Sequence, residues 1–182
     1  MIKSQHFALQ HEILTLDAYL KGILEDRDRE TLMKDFLDKL LTTLRMEALG
    51  PLQIFDATDM RAPGWSFILP ITTSHITGHY FIKPGKKPHI HMDIYSCASV
   101  NWRKAIEVID EFFRLDAWKA SFIFRYIDEA KREIWALQGE GADILEEQQI
   151  VFEDESADSV INEDEPSIKE IAAKKVAAVY KV

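Results

Sequence analysis

The period of hydrophobic and polar positions changes several times along this chain. Between residues 29 and 44, Leu32, Phe36, Leu37, Leu40, Leu41 and Leu44 recur at spacings of three and four. That spacing predicts an amphipathic helix. Asp28 stands where it can cap the start of that helix, and Gly50-Pro51 can stop the chain beyond its end. A second stripe, Ala105, Val108, Ile109, Phe112 and Phe113, predicts another helix over "WRKAIEVIDEFFRL", behind a capping Asn101.

Other segments read with period two or as short apolar runs, the signal of strands. "HFALQHEIL" (6–14) predicts a first strand and "LQIFDA" (52–57) a short one. "WSFILPI" (65–71) predicts a third, where Pro70 marks an edge or an irregularity. "SHITGHYFI" is extended, and turns fall at "APG" (62–64) and "KPGKKP" (83–88). The cleanest alternation is "HIHMDIYSC" (89–97). It puts His89, His91, Asp93, Tyr95 and Cys97 on one face and Ile90, Met92 and Ile94 on the other. "KASFIFRYI" (119–127) predicts the last core strand. The order strand, helix, several strands, helix, strand points to an α/β sandwich of the α+β kind. Its sheet is largely antiparallel and its helices pack on one face.

These elements place one domain at residues 1–138. From Gly139 the chain reads "GEGADILEEQQIVFEDESADSVINEDEP", acidic and without Lys or Arg. Such a run repels itself, so residues 139–182 are expected to be a mobile extension, with a short strand at "QIVF". "SIKEIAAKKVAAVYKV" can form a terminal helix.

Composition narrows the function classes. The 182 residues suffice for one domain, and a net charge of −9 argues against a nucleic-acid surface. The first residues lack the pattern of a signal peptide, and no apolar run is long enough to cross a bilayer. The expectation is a cytoplasmic protein with neither membrane nor nucleic acid as partner. Cys97 is the sole cysteine, which excludes an internal disulfide.

The stretch "ITTSHITGHYFI" (71–82) gathers polar side chains in an apolar context. His75, His79, His89, His91 and Asp93 are residue types that bind Zn, Fe or Mn, and His89-x-His91-x-Asp93 projects three of them from one strand face. The barrel motif built on His-x-His also needs a following glutamate. Residues 98–103 contain none, and no metal is assigned. A serine-hydrolase triad of Ser74 with His75 or His79 and Asp93 lacks the Gly-x-Ser-x-Gly elbow.

A third pattern uses Ser66, Ser74, His79 and Cys97 together. "WSFILPITTSHITGHYFIKPGKKPHIHMDIYSC" resembles the processing and active-site region of the bacterial-type, pyruvoyl-dependent S-adenosylmethionine decarboxylases. In that family a serine lies eight residues before a Ser-His pair, and a second histidine lies five after the serine of the pair. An Asp-apolar-aromatic-Ser/Thr-Cys strand follows. Ser66, Ser74-His75, His79 and Asp93-Ile94-Tyr95-Ser96-Cys97 match in order, and the likeness extends loosely from His6 to Ile127.

The resemblance implies that the chain cleaves itself at Thr73–Ser74. Ser74 would attack the Thr73 carbonyl and become a pyruvoyl group, which forms a Schiff base with the substrate amine. Ser66 and His79 would assist processing, and Cys97 would return a proton to the decarboxylated carbon. It further implies a homodimer working in polyamine (spermidine) synthesis on S-adenosylmethionine. The alternatives are a paralogue acting on ornithine or arginine and an unprocessed relative that binds a ligand or partner. The substrate-binding residues stay unassigned.

Three features depart from the family pattern. Thr73 stands where glutamate usually precedes the serine, and Tyr80-Phe81-Ile82-Lys83 replaces Thr-aromatic-Pro-Glu. The loop before the cysteine strand is longer and carries Lys86, Lys87, His89 and His91. In an unbroken strand Ser74 and His79 would also face opposite ways, so a bend is expected between them, at Gly78.

Overall fold

The computed structural model describes residues 11–24, 28–125 and 131–153. In chain order the elements are β1 (His11–Leu20), α1 (Arg29–Leu44), β2 (Gln53–Asp56), β3 (Gly64–Ile71), β4 (Ser74–Phe81) and β5 (His89–Ser96). They continue as α2 (Trp102–Phe113), β6 (Leu115–Arg125), β7 (Lys131–Glu140) and β8 (Asp143–Glu153). The strands form one eight-stranded sheet in the order β2-β3-β4-β5-β1-β6-β7-β8. Every ladder in it is antiparallel.

Both helices begin where the sequence places them. Asp28 accepts from the Thr31 amide at the start of α1, and Asn101 accepts from the Lys104 amide at the start of α2. Helix α1 ends at Arg45, whose left-handed φ of 57° lets its amide reach back to the Leu41 and Thr42 carbonyls, ahead of Gly50. The two helices cover one face of the sheet. Leu14, Leu16, Phe67, Ile76, Ile90, Ile94 and Phe122 from the strands are buried together with Phe36, Leu40, Ile106, Ile109 and Phe113 from the helices. Sheet residues that alternate with these lie on a helix-free face.

Pro70 fits because β2 pairs only with residues Trp65 to Ile68 of β3. At Pro70 that side of the strand carries no ladder bond that needs an amide donor, and the Pro70 carbonyl takes the Leu49 amide instead.

Several expectations need correction. The first strand reaches Leu20, because Leu14, Leu16, Ala18 and Leu20 continue the buried alternation. Its expected first residues, 6–10, lie outside the described residues, as does the proposed terminal helix. The strand at 119–127 begins earlier, at Leu115, and is not the last. The boundary at residue 138 falls inside β7, and "QIVF" belongs to an eleven-residue strand, β8, paired along β7. Gly139 begins no linker. A Cβ there would meet the Trp118 indole at 2.1 Å, so the glycine gives the ring room to cross the strand. The acidic run up to Glu147 decorates an edge strand, where charge keeps unpaired backbone from pairing with other chains.

The bend expected at Gly78 is also absent. Strand β4 is continuous and pairs with β3 and β5 on both sides through Gly78. The glycine is needed because the Phe67 ring lies over it, and an added Cβ would sit 2.5 Å from Phe67 Cε1 and 2.7 Å from the His91 carbonyl oxygen. Gly78→Ala should therefore destabilise the fold by about 1–3 kcal/mol, the usual cost of overpacking, as read by urea denaturation. An unchanged midpoint would show that Phe67 moves aside freely.

Candidate active site

The Thr73–Ser74 bond lies at the tip of the β3–β4 hairpin. Ile71 pairs with Ser74, which leaves Thr72 and Thr73 as a two-residue loop. Such loops favour turns with positive φ inside the loop. β-Branched threonine resists that conformation. Neither threonine adopts it, and the positive φ falls on Ser74, at 149°. For a residue with a Cβ this conformation is strained, at a cost on the order of 1–3 kcal/mol.

Strand β5 clamps this tip. Ser74 pairs with Ser96, and the Cys97 amide donates to the Thr73 carbonyl oxygen at 2.9 Å. The buried Ser96 hydroxyl donates to Thr73 Oγ1 at 2.9 Å and accepts from the Ala98 amide. Beyond it, Glu12, only 1% exposed, accepts from the Val100 amide at 2.6 Å and ties the segment after Cys97 to β1. Burial raises the Glu12 pKa, and the Val100 amide opposes that rise. The peptide carbonyl that Ser74 would attack is thus already held by a backbone N–H, as an oxyanion hole requires.

On the helix-free face beside Ser74, His75 Nδ1 is 3.1 Å from Ser74 Oγ. The His75 ring meets Tyr95 edge-on at 5.5 Å, Tyr95 Oη lies 2.7 Å from His11 Nδ1, and the Arg125 guanidinium sits over the Tyr95 ring. Sequence reasoning left His11 and Arg125 unassigned. The signal available for them was their cross-strand position, which needs the register of β1 on β6.

Ser66 and His79 form a second cluster. They pair across β3 and β4, with Ser66 Oγ 2.7 Å from His79 Nδ1. Phe81 stands at its centre, 4.0 Å from the His79 ring and 4.5 Å from His89, with His91 also against it. His91 Nδ1 is bonded to Asp17, a partner the sequence did not suggest. Asp93 faces the same side. Burial raises its pKa, Asp17 adds to the rise, and His75 and His91 oppose it. Among the described residues no three His, Cys, Asp or Glu side chains are grouped to hold a metal.

The structure therefore brings Thr73, Ser74 and Cys97 together, and separately brings Ser66 and His79 together. Along the continuous strand His79 is five residue steps from Ser74, roughly 16 Å at the usual rise.

This scaffold defines an α+β protein with two helices on one face of an antiparallel sheet and a strained residue at the tip of its β3–β4 hairpin. The chain belongs to the S-adenosylmethionine decarboxylase family, whose model matches residues 13–126. The family is one of pyruvoyl-dependent decarboxylases, so a decarboxylase-like activity follows at that level. The match ends before β7, so the β7–β8 hairpin lies beyond it. No curated protein gives a significant match. Among the described residues no helix is long and apolar enough to cross a membrane.

Burial of His79 Nε2 without a hydrogen-bond partner has a measurable consequence. Desolvation lowers the His79 pKa below its ordinary 6.5, the Ala62 backbone opposes this, and His91 and His89 add to it. The unfolded chain takes up a proton at this position as pH falls through that value, and the folded chain takes it up only at lower pH. Below it the unfolded state binds more protons, so acid removes stability. His79→Gln, which keeps a polar partner for Ser66, should shrink the fall in Tm between about pH 7.5 and pH 5.5. An undiminished fall would place the acid sensitivity elsewhere.

Proposed function

We propose that this chain is a pyruvoyl-dependent decarboxylase that generates its cofactor by cutting Thr73–Ser74 and acts on S-adenosylmethionine in polyamine synthesis. The observation that carries the reading is the strained Ser74, φ 149°, next to a carbonyl held by the Cys97 amide. Strain at a residue with a Cβ persists only when the surroundings over-determine it, and it concentrates where chemistry occurs. Here Ser96, Cys97 and the paired strands over-determine it.

The donor set suits a self-made cofactor. Attack by Ser74 Oγ on the Thr73 carbonyl carbon would convert the peptide bond to an ester and relieve the positive φ. The Cys97 amide stays on the oxygen where charge develops. A pyruvoyl ketone at residue 74 supplies an electrophilic carbonyl for the substrate amine and an electron sink as carbon dioxide leaves. Cys97, adjacent to that position, would return the proton to the product carbon. The same chemistry on ornithine or arginine is the second reading. It stays open because Tyr80-Phe81-Ile82-Lys83 departs from the family pattern and Phe81 brings His89 and His91 to the second cluster.

In this reading Ser66 and His79 reach the scissile bond from a second copy. The helix-free face carries a cross-strand row of Ile13, Ile123, Ile134 and Ile150, with Phe152 exposed beside it and Phe55 and Ile68 exposed toward the opposite edge of the sheet. Apolar area of this kind marks an interface. Two sheets packed by these faces about a two-fold axis would set one copy's Ser66–His79 pair against the other's hairpin tip.

Intact-mass analysis tests the reading. The wild type should resolve into residues 1–73 and a 74–182 chain blocked by pyruvoyl, and Ser74→Ala should remain one chain. A wild-type chain that stays whole after prolonged incubation sinks the proposal. Carbon dioxide release from S-adenosylmethionine, ornithine and arginine then chooses the substrate.

Co-expression tests the shared site. Ser74→Ala and His79→Ala chains, each uncut alone, should together yield cleavage of the His79→Ala chain only. No cleavage in the mixed dimer would confine the site to one chain.

A further inference from the structure

We propose that His75 is the general base that starts chain cleavage, taking the Ser74 hydroxyl proton within the same chain; this rests on the self-processing reading above. Ser74 Oγ and His75 Nδ1 are 3.1 Å apart, within hydrogen-bond reach of a nucleophile and its base. His79 is roughly 16 Å further along the strand, and its Nδ1 is engaged by Ser66. In the first step a proton passes from Ser74 Oγ to His75 Nδ1 as Oγ bonds to the Thr73 carbonyl carbon. The carbonyl oxygen takes the charge against the Cys97 amide. The proton then passes from His75 to the Ser74 nitrogen as the C–N bond breaks. The ester and the free amine result, with no proton gained or lost and no other reactant consumed.

The surroundings suit the transfer. Tyr95 presents its ring edge-on to His75, and its own position is fixed by the 2.7 Å contact with His11. Asp93 stands on the same face as His75, one cross-strand pair along β4 and β5, so an acidic side chain lies diagonal to the charge that the transfer creates. Ser74, which begins β4, and His75, which pairs with Pro70 and Tyr95 across the sheet, stand in a rigid frame.

The test follows cleavage of purified full-length chains by intact mass, with hydroxylamine added in parallel to trap the ester. His75→Ala should slow cleavage by on the order of 10²–10⁴-fold, the range a positioned base contributes. It should give no hydroxylamine-released fragment, and free imidazole should restore part of the rate. His75→Gln serves the same purpose should the alanine variant fail to fold, as judged by its thermal transition. If the wild type never cleaves, the self-processing reading fails. If the wild type cleaves and a folded His75 variant does so within about twofold of it, far below that range, the assignment of His75 is overturned and the reading stands.

Discussion

The hydrogen bond from the Cys97 amide to the Thr73 carbonyl is the constraint on which the rest of the site depends. It fixes the tip of a hairpin whose loop is two threonines, residues poorly suited to the positive φ that so tight a reversal demands. Without that bond and the Ser96–Thr73 contact, the tip could relax by fraying. With them the distortion settles on Ser74. The same bond polarises the Thr73 carbonyl, next to the strained residue, so one interaction bears on both the strain and the electrostatics.

The sheet makes the clamp possible. Strand β5 lies between β4 and β1, so Ser96 and Cys97 arrive beside the hairpin tip at the end of a fully paired central strand. Helix α2 starts directly after this segment, with Asn101 as its cap and Val100 tied to the buried Glu12. Position is thus passed from β1 through Glu12 to the 97–100 segment and from there to Thr73. These hydrogen bonds lie in buried or half-buried places, where such bonds are stronger than in water.

Much of this was legible in the sequence, and the limits are physical. The two helices, their caps and the alternation of His89 to Cys97 are local signals, and they hold. Strand β7 was missed because "KREIWALQGE" mixes charge with two aromatic or aliphatic pairs and declares its alternation only against β6. Strand β8 was read as a mobile acidic run, since an edge strand uses charge where an interior strand uses apolar side chains. In the site, the grouping of Thr73, Ser74 and Cys97 follows the family pattern. The Cys97 amide, the Ser96 hydroxyl and the Tyr95–His11 pair depend on register, which motif spacing does not encode.

The Ser66–His79 pair stands apart from Ser74 along β4. In a continuous, twice-paired strand, a separation of five residue steps cannot be closed by rotating side chains. A local bend would have solved the problem within one chain, but Gly78 is spent on admitting Phe67 to the core. Packing of the core therefore keeps β4 straight, and a straight β4 keeps the Ser66–His79 pair away from Ser74 and on the opposite parity of the strand. The proposed function answers this separation with a two-fold axis, which would pair each group with its complement in a second copy and complete two sites at once. The departure at Thr73 then bears on strain: glutamate is unbranched at Cβ, and a threonine in the loop leaves the reversal to Ser74 more strictly.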